Sequence, residues 1–152
     1  FPQGIVIQGR DDEPFFIACP PDHPLAARES VSAAEVAELK LLLLTEGHCL
    51  RGQALTACGL NDAPRDDAAD CRATSLETLR QLVEAGLGST LLPALALRPR
   101  AREPLVVRPL ANGESRRIGL VWRRGHARHQ ELPLLAESLR RALPDGVRPV
   151  AT

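Results

Sequence analysis

The stretch KLLLLTEGHCLRGQALTACGL, residues 40–60, contains the elements that decide the fold. Its apolar start, KLLLLT (40–45), is typical of a buried strand, and Gly47 separates it from the helix-like CLRGQAL. A strand followed directly by a helix is the repeating unit of α/β proteins, and the same alternation recurs along the chain. The sequence therefore predicts an α/β fold with a largely parallel sheet.

Cys49 and Cys58 lie at the two ends of this predicted helix. Nine residues of helix separate their Cα atoms by roughly 13–14 Å and place the side chains on opposite faces. A disulfide needs Cα atoms within about 7 Å. The two sulfurs can therefore bond only if the helix between them unfolds, which would make the pair a redox switch.

Cys49 is the more reactive of the two by its position. The free N–H groups and the dipole at a helix N-terminus favour an anion, and so favour the thiolate. Arg51 adds a positive charge, and His48 is a possible proton partner. The alternative is that both are ordinary core cysteines, because free Cys is among the most buried residue types.

The other predicted elements are short. Strands at 3–9 and 14–19 are separated by an acidic turn, and residues 59–70 form a polar loop that could supply slack for refolding. The helix at 75–85 begins with a capping box, Thr74-x-x-Glu77, and ends at Gly86. The remaining predictions are a helical turn in PPDHPLA, a short helix capped by Ser32, strands in 89–94, 104–110 and 116–122, and a final helix at 131–143 with Leu132, Leu135, Leu139 and Leu143 inward.

Composition excludes several classes of function. The 152 residues suit one domain, or one lobe and part of another. The chain has three Phe, one Trp and no Tyr, too few aromatic side chains to stack the bases of a single-stranded nucleic acid. Its net charge is zero, whereas a DNA-binding domain is usually basic. Residues 98–128 hold nine Arg against two Glu, which we interpret as a solvated face or a docking surface. We find neither a membrane span nor a signal peptide in the sequence.

A metal or cofactor site is not predicted. Cys19, Cys49, Cys58 and Cys71 lack Cys-x2-Cys spacing, and His23, His126 and His129 are scattered. We interpret Cys19 and Cys71 as small buried hydrophobes. A chain of this size does not need structural disulfides, so a reducing cytoplasm fits it better. The glycine-rich AGLGST lacks the lysine of a phosphate-binding loop.

Three stretches carry a family resemblance: GHCLRGQAL with a second Cys nine residues after the first, RATSLETLRQLVEAGLGSTLLPALAL (72–97) and RRIGLVWRRG (116–125). Together they resemble the OxyR family, the hydrogen-peroxide-sensing branch of the LysR-type bacterial transcription regulators. The resemblance implies a periplasmic-binding-protein-like effector domain. Residues 1–12 would be a crossing strand from the first lobe, 13–110 the second lobe with the redox cysteines, and 111–152 the return strand and final helix of the first lobe.

The resemblance also implies roles for individual residues. Cys49 matches the peroxide-reacting cysteine and Cys58 its disulfide partner, with residues 49–58 refolding as the bond forms. Four residues match positions around the peroxide pocket, namely His48, Arg51, Thr90 and Arg116. The family commonly has an acidic residue after the arginine of GHCLR, and this chain has Gly52 there.

The implied biology is that of a transcription activator, not an enzyme. It would respond to hydrogen peroxide, self-associate as a homodimer or tetramer, act with RNA polymerase and be reset by a reducing dithiol protein, without a cofactor. The chain starts with Phe1, so we expect a fragment that lacks the winged helix-turn-helix through which such regulators bind DNA. Two alternatives remain open: a LysR-type domain that binds a small organic co-inducer, and a thiol peroxidase that turns over.

Overall fold

The computed structural model describes residues 5–60, 72–97, 104–144 and 147–149. Its contacts divide the chain into two compact units, residues 14–116 and residues 1–13 together with 117–152. The strands are β1 (Ile5–Cys19), β2 (Leu43–Leu44), β3 (Arg72–Ala73), β4 (Thr90–Pro93), β5 (Val106–Pro109), β6 (Ser115–Arg123) and β7 (Arg148–Pro149). The helices are α1 (Ala33–Ala37), α2 (Cys49–Ala57), α3 (Leu76–Glu84) and α4 (Leu132–Arg141), with 3-10 turns at Pro24–Ala27 and Ala94–Ala96.

The unit of residues 14–116 contains strands of a larger sheet, β4-β1-β5, and a separate two-stranded sheet, β2-β3. The second half of β1 lies between β4 and β5 and is antiparallel to both, with Ile17 opposite Leu91 and Arg108. β2 and β3 are parallel, and a parallel bridge joins Leu41 to Ser89. The predicted parallel direction thus holds where α2 and α3 connect successive strands. It is wrong for β1, because no strand–helix–strand crossover sets the direction of β1 relative to β4 or β5.

The acidic stretch near residue 12 is part of one continuous strand, so the predicted turn there is wrong. Arg117 donates to Asp12 and Arg140 donates to Asp11, each over 3.1 Å, while Glu13 is fully buried. Acidic side chains are expected at the surface, but a carboxylate paired with arginine can remain in a strand. The first half of β1 also pairs with β7, and β1 pairs with β6.

Two apolar clusters form the core of the unit of residues 14–116. One gathers side chains from β1, α1 and α2; the other packs α3 against β2 and β3 and buries Leu79 and Val83. The N-cap of α3 is Ser75, whose hydroxyl accepts from the Thr78 N–H over 3.1 Å. The predicted cap at Thr74 is therefore wrong by one residue. The helix ends as expected at Gly86, which has φ +77°.

The final helix, α4, does not bury the predicted leucine stripe. Leu135 and Leu139 are 47% and 51% exposed, and the buried residue of the helix is Ala136. The apolar stripe predicts the helix, but the face that the helix buries depends on the elements that it contacts. Leu132 and Leu143 are half-buried.

Candidate functional site

Helix α2 separates the two cysteines that the sequence singled out. It runs from Cys49 to Ala57, with His48 as N-cap and Cys58 as C-cap, which confirms the predicted helix. By helical rise, the Cα atoms of the two cysteines are roughly 13–14 Å apart, about twice what a disulfide allows. Both cysteines are reduced thiols that are not in a disulfide. A bond between them requires α2 to unfold.

Cys49 is an exposed thiol at the first position of α2. The first-turn N–H groups of a helix have no partner within it, so their dipoles face outward at this end. Among the described residues, the His48 side chain makes no capping hydrogen bond, and the first turn contains no acidic residue. The thiol is therefore accessible to a small oxidant in a setting that favours negative charge.

Cys58 is in the opposite situation, because it is only 5% exposed and belongs to the larger apolar cluster. The helix end beside it is locked by two backbone hydrogen bonds, from Leu60 to Leu55 over 2.8 Å and from Gly59 to Thr56 over 3.0 Å. This is the Schellman arrangement, and it uses the positive φ of Gly59, +66°. The Cys58 thiol becomes reachable only when this part of the core opens.

Two of the predicted pocket residues, Arg51 and Thr90, line one small cavity. The cavity volume is about 10 Å³, close to the least that holds a single water. The Thr90 hydroxyl donates to the Leu42 carbonyl over 2.8 Å, so its proton is already used, while its oxygen can still accept. The other lining residues are Leu43, Leu44, Leu50, Ala54, Leu76, Leu79 and Leu91.

The other two predicted pocket residues do not line this cavity. Arg116 contacts α2 on its exposed side, where its Nη1 donates to Gln53 Oε1 over 3.3 Å. His48 precedes the helix as its N-cap. The structure therefore distributes the four residues around the N-terminal half of α2, with Arg51 and Thr90 on one cavity and Arg116 on the solvent side.

Sequence reasoning missed two residues that shape this region. Gln53 supplies the contact with Arg116, and no pattern in the sequence indicates a partner 63 residues away. Gly88 allows a close approach of two backbones, because a Cβ there would lie 2.7 Å from the Lys40 carbonyl oxygen. A glycine directly before a buried strand, as Gly88 is in AGLGST, is a sequence signal for such an approach.

Cys19 is a buried residue, as interpreted from the sequence. Its thiol donates to the Val106 carbonyl over 3.7 Å. Burial raises the pKa of the Cys19 thiol, nearby Asp22 also raises it, and Arg108 acts in the opposite direction. Cys71 and most of the predicted polar loop lie outside the described residues.

Within the described part of the chain, no group of three His, Cys, Asp or Glu side chains could hold a metal ion. No helix in it is both long enough and apolar enough to cross a membrane.

Residues 2–144 match the model of the LysR substrate binding domain. The DNA-binding transcriptional dual regulator OxyR of Escherichia coli K12 is 50% identical over 137 residues, which are 89% of this chain and 44% of that protein. A probable hydrogen peroxide-inducible genes activator of Mycobacterium avium is 46% identical over 127 residues, covering 82% of this chain and 40% of its own length. The chain thus spans less than half the length of these curated relatives.

Solved structures of OxyR are also similar. A reduced form from N. meningitidis superposes with a TM-score of 0.83 at 30% identity, covering 99% of this chain and 70% of that chain. A second reduced form gives 0.74 at 43% identity, with 93% and 65% covered. An oxidized form gives 0.72 at 44% identity, with 91% and 66% covered.

Proposed function

The chain belongs to the LysR substrate-binding domain family and to its OxyR group, and from this premise we propose that it is the redox-sensing regulatory domain of a hydrogen-peroxide-responsive transcription activator. The observation that carries the proposal is the pairing of an exposed Cys49 with a buried Cys58 across an intact helix. Such a pair can register an oxidant only by a change of structure.

The first chemical step is attack by the Cys49 thiolate on the O–O bond of peroxide. The sulfur loses two electrons, the O–O bond breaks, and the products are a sulfenic acid and hydroxide. His48 or Arg116 would assist the departing hydroxide, and Arg51 adds a positive charge beside the thiolate. The Thr90 oxygen, whose lone pairs remain available, would accept a hydrogen bond from the peroxide or from a bridging water.

The second step joins the two sulfurs. The Cys58 thiol displaces the sulfenic oxygen, which leaves as water after taking up the thiol proton, and a disulfide forms. Because the helix between the two residues cannot remain, residues 49–58 refold. Each chain would therefore respond to about one equivalent of peroxide, as a sensor does and a turning-over enzyme does not.

The output follows from this refolding. A changed surface would alter how subunits pack in a homodimer or tetramer, and so alter DNA binding through a winged helix-turn-helix and the recruitment of RNA polymerase. A reducing dithiol protein would restore the thiols, which places the cycle in the reducing cytoplasm. No cofactor takes part.

The organisation proposed for this domain has three parts. Residues 1–12 cross from the first lobe, 13–110 form the second lobe with the redox site, and 111–152 return to the first lobe. The division of contacts after Glu13 and after Arg116 supports this arrangement.

A domain that binds a small organic co-inducer is a weaker candidate. The one cavity described beside Arg51 and Thr90, at about 10 Å³, is itself far too small to be that site, since organic-ligand pockets typically have several hundred Å³. The cysteine pair separates the two candidates, because a co-inducer domain would keep its response when Ser replaces both Cys49 and Cys58. A thiol peroxidase would continue to consume peroxide when a thiol donor is supplied.

The proposal is tested by peptide mass spectrometry after one equivalent of hydrogen peroxide per chain. A Cys49–Cys58 disulfide is the expected product, and C58S should stop at sulfenic or more oxidised Cys49. A matched C19S variant should behave as the wild type, because the Cys19 thiol is fully buried in β1 and donates to the Val106 carbonyl. Thiols that remain unmodified in the wild type would show that the domain does not sense peroxide.

A further inference from the structure

We propose that Gly52 is the point at which α2 breaks on oxidation, so that residues 49–53 unfold first and the glycine sets the rate and the potential of the switch. The inference deepens the proposed function and rests on it. It comes from a contrast between the two halves of the helix.

The N-terminal half of α2 is weakly held. Cys49, Gly52 and Gln53 are exposed, and among the described residues this end has no side-chain cap. Gly52 is the fourth residue of the helix. Of all residue types except proline, glycine lowers the stability of a helix most. A Cβ built there has no described atom within 4 Å, so neither packing nor a close contact requires glycine at this position.

The C-terminal half is anchored. Ala54, Leu55 and Cys58 are buried in the larger apolar cluster, and Leu60 joins them just after the helix. The Schellman hydrogen bonds from Leu60 and Gly59 fix the end of the last turn. Unfolding this half first would expose the three buried residues and Leu60 at once, whereas unfolding residues 49–53 removes one apolar side chain, the half-buried Leu50, from its contacts with the two clusters.

Besides the packing of Leu50, a polar contact opposes the opening of the weaker half. It is the hydrogen bond from Arg116 to Gln53, which is long at 3.3 Å and exposed to solvent. Exposed polar contacts of this kind contribute little to stability, because water replaces them readily. Gly52 is therefore next to Gln53, whose hydrogen bond with Arg116 breaks when the first turn of α2 unfolds.

Partial unfolding also shortens the route between the sulfurs. With residues 54–58 still helical, one turn of helix, a rise of about 5–6 Å, separates Ala54 from Cys58. Five flexible residues, 49–53, are long enough to fold back over that turn. Exposure of the Cys58 side chain is then the last event before the disulfide forms.

The test compares G52A with the wild type after a pulse of peroxide, with Cys49–Cys58 disulfide formation followed by rapid thiol alkylation and mass spectrometry. Alanine at Gly52 should slow disulfide formation about four- to fivefold, while the rate of sulfenic acid formation at Cys49 stays the same. A fivefold stabilisation of the reduced form raises the reduction potential by about 20 mV, because tenfold corresponds to 29.6 mV for a two-electron couple.

Two further variants complete the design. G52S should give a rate between those of the wild type and G52A, because serine lies between glycine and alanine in helix propensity. G125A is the matched control, since Gly125 also has open space around its Cβ position but lies outside α2. Its rate should equal that of the wild type.

Hydrogen exchange gives an independent readout. The amides of residues 53–55, which donate to the first turn, should exchange faster than those of 57–60 in the reduced protein, and G52A should slow the faster set. Equal disulfide rates in the wild type, G52S and G52A would overturn the inference. Absence of the disulfide in the wild type would overturn the proposed function instead, so the two failures are distinguishable.

Discussion

At the scale of single residues, Gly88 shows how tightly the backbone is packed where the segment at residues 40–42 meets Ser89. The Ser89 N–H donates to the Lys40 carbonyl over 3.1 Å, and the Leu42 N–H donates to the Ser89 carbonyl over 2.8 Å. A Cβ at Gly88 would meet that same Lys40 oxygen at 2.7 Å and the Leu42 side chain at 3.1 Å. The bridge between the segments at 41 and 89 therefore depends on the absence of a side chain.

G88A is expected to lower the free energy of unfolding by about 1–3 kcal/mol, the range for overpacking against atoms that cannot move freely. Urea denaturation followed by circular dichroism measures the change. G125A serves as the control and should stay within about 0.5 kcal/mol of the wild type, because its Cβ position is open and exposed. A G88A midpoint equal to that of G125A would show that the Lys40 carbonyl can shift at no cost.

The residues of the candidate site were partly predictable. The spacing of Cys49 and Cys58 and the glycine before the helix were sufficient to place the thiols at its two ends. The hydrogen bond from Thr90 to Leu42 and that from Arg116 to Gln53 were not predictable, because each joins residues about 50 or more positions apart. Local patterns carry no information about which distant strand lies beside them.

At the scale of elements, α1 is a five-residue helix stabilised by its first turn. The Ser32 hydroxyl accepts from the Glu35 N–H, and the Glu35 carboxylate accepts from the Ser32 N–H and pairs with Arg28. The hydrogen bond from Arg28 is the main cause that lowers the pKa of Glu35 from 4.5 to about 2, and the bonds from Ser32 add to it.

This pKa difference predicts a pH dependence of stability. Between about pH 4.5 and pH 2 the unfolded chain binds a proton at Glu35 that the folded chain does not, so stability falls as the pH falls. The contribution is fully present above about pH 4.5. E35Q should therefore lose less stability than the wild type between pH 6 and pH 3 in urea titrations. R28Q should also lose less stability than the wild type over this pH range. Its difference from the wild type should be smaller than that of E35Q, because the hydrogen bonds from Ser32 to Glu35 remain. Parallel curves for E35Q and the wild type would contradict the prediction.

The end of α2 gives a second prediction at this scale. Gly59 has φ +66°, a conformation that costs a residue with a Cβ about 1–2 kcal/mol. G59A should lower the free energy of unfolding of the reduced domain by about 1 kcal/mol, measured by urea denaturation in the presence of a reductant. The nearby G52A should change it in the opposite direction. A stabilising effect of G59A would mean that the helix can end in another way.

Most elements were predicted from local signals, and the errors share one cause. The acidic stretch before Pro14 predicts a turn from its sequence. It is a strand because Arg117 and Arg140, which are distant in sequence, pair with its carboxylates. The stripe on α4 gives the correct helix but not the buried face, because burial depends on what the helix contacts. Periodicity predicts an element, and tertiary partners decide its length and orientation.

At the scale of the whole molecule, the two units differ in how much apolar surface they bury. Both apolar clusters belong to residues 14–116, whereas the described buried hydrophobic residues of the other unit are Trp122, Ala136 and Val147. Leu134, which is 65% exposed, and Leu139 remain in contact with solvent on α4. Because burial of apolar surface is the main source of stability, the two units should not be equally stable.

Hydrogen exchange with mass spectrometry should show this difference. Backbone amides of α4 and β6 are expected to exchange faster than those of α3 and the second half of β1, by roughly tenfold or more at neutral pH. The peptides of α3 serve as the internal reference, since Leu79 and Val83 are almost fully buried. Equal protection of α3 and α4 would show that the exposed leucines are covered in solution.

Strand β1 also has a consequence for the order of folding during synthesis on the ribosome. Residues 15–18 pair with residues 90–93 of β4, whereas residues 11 and 12 pair with residues 148 and 149 of β7. Segments that pair only with late partners remain open to wrong partners in the meantime. The β1 residues that pair with β7 therefore wait longer for that partner during synthesis, and they gain more from protection by a chaperone.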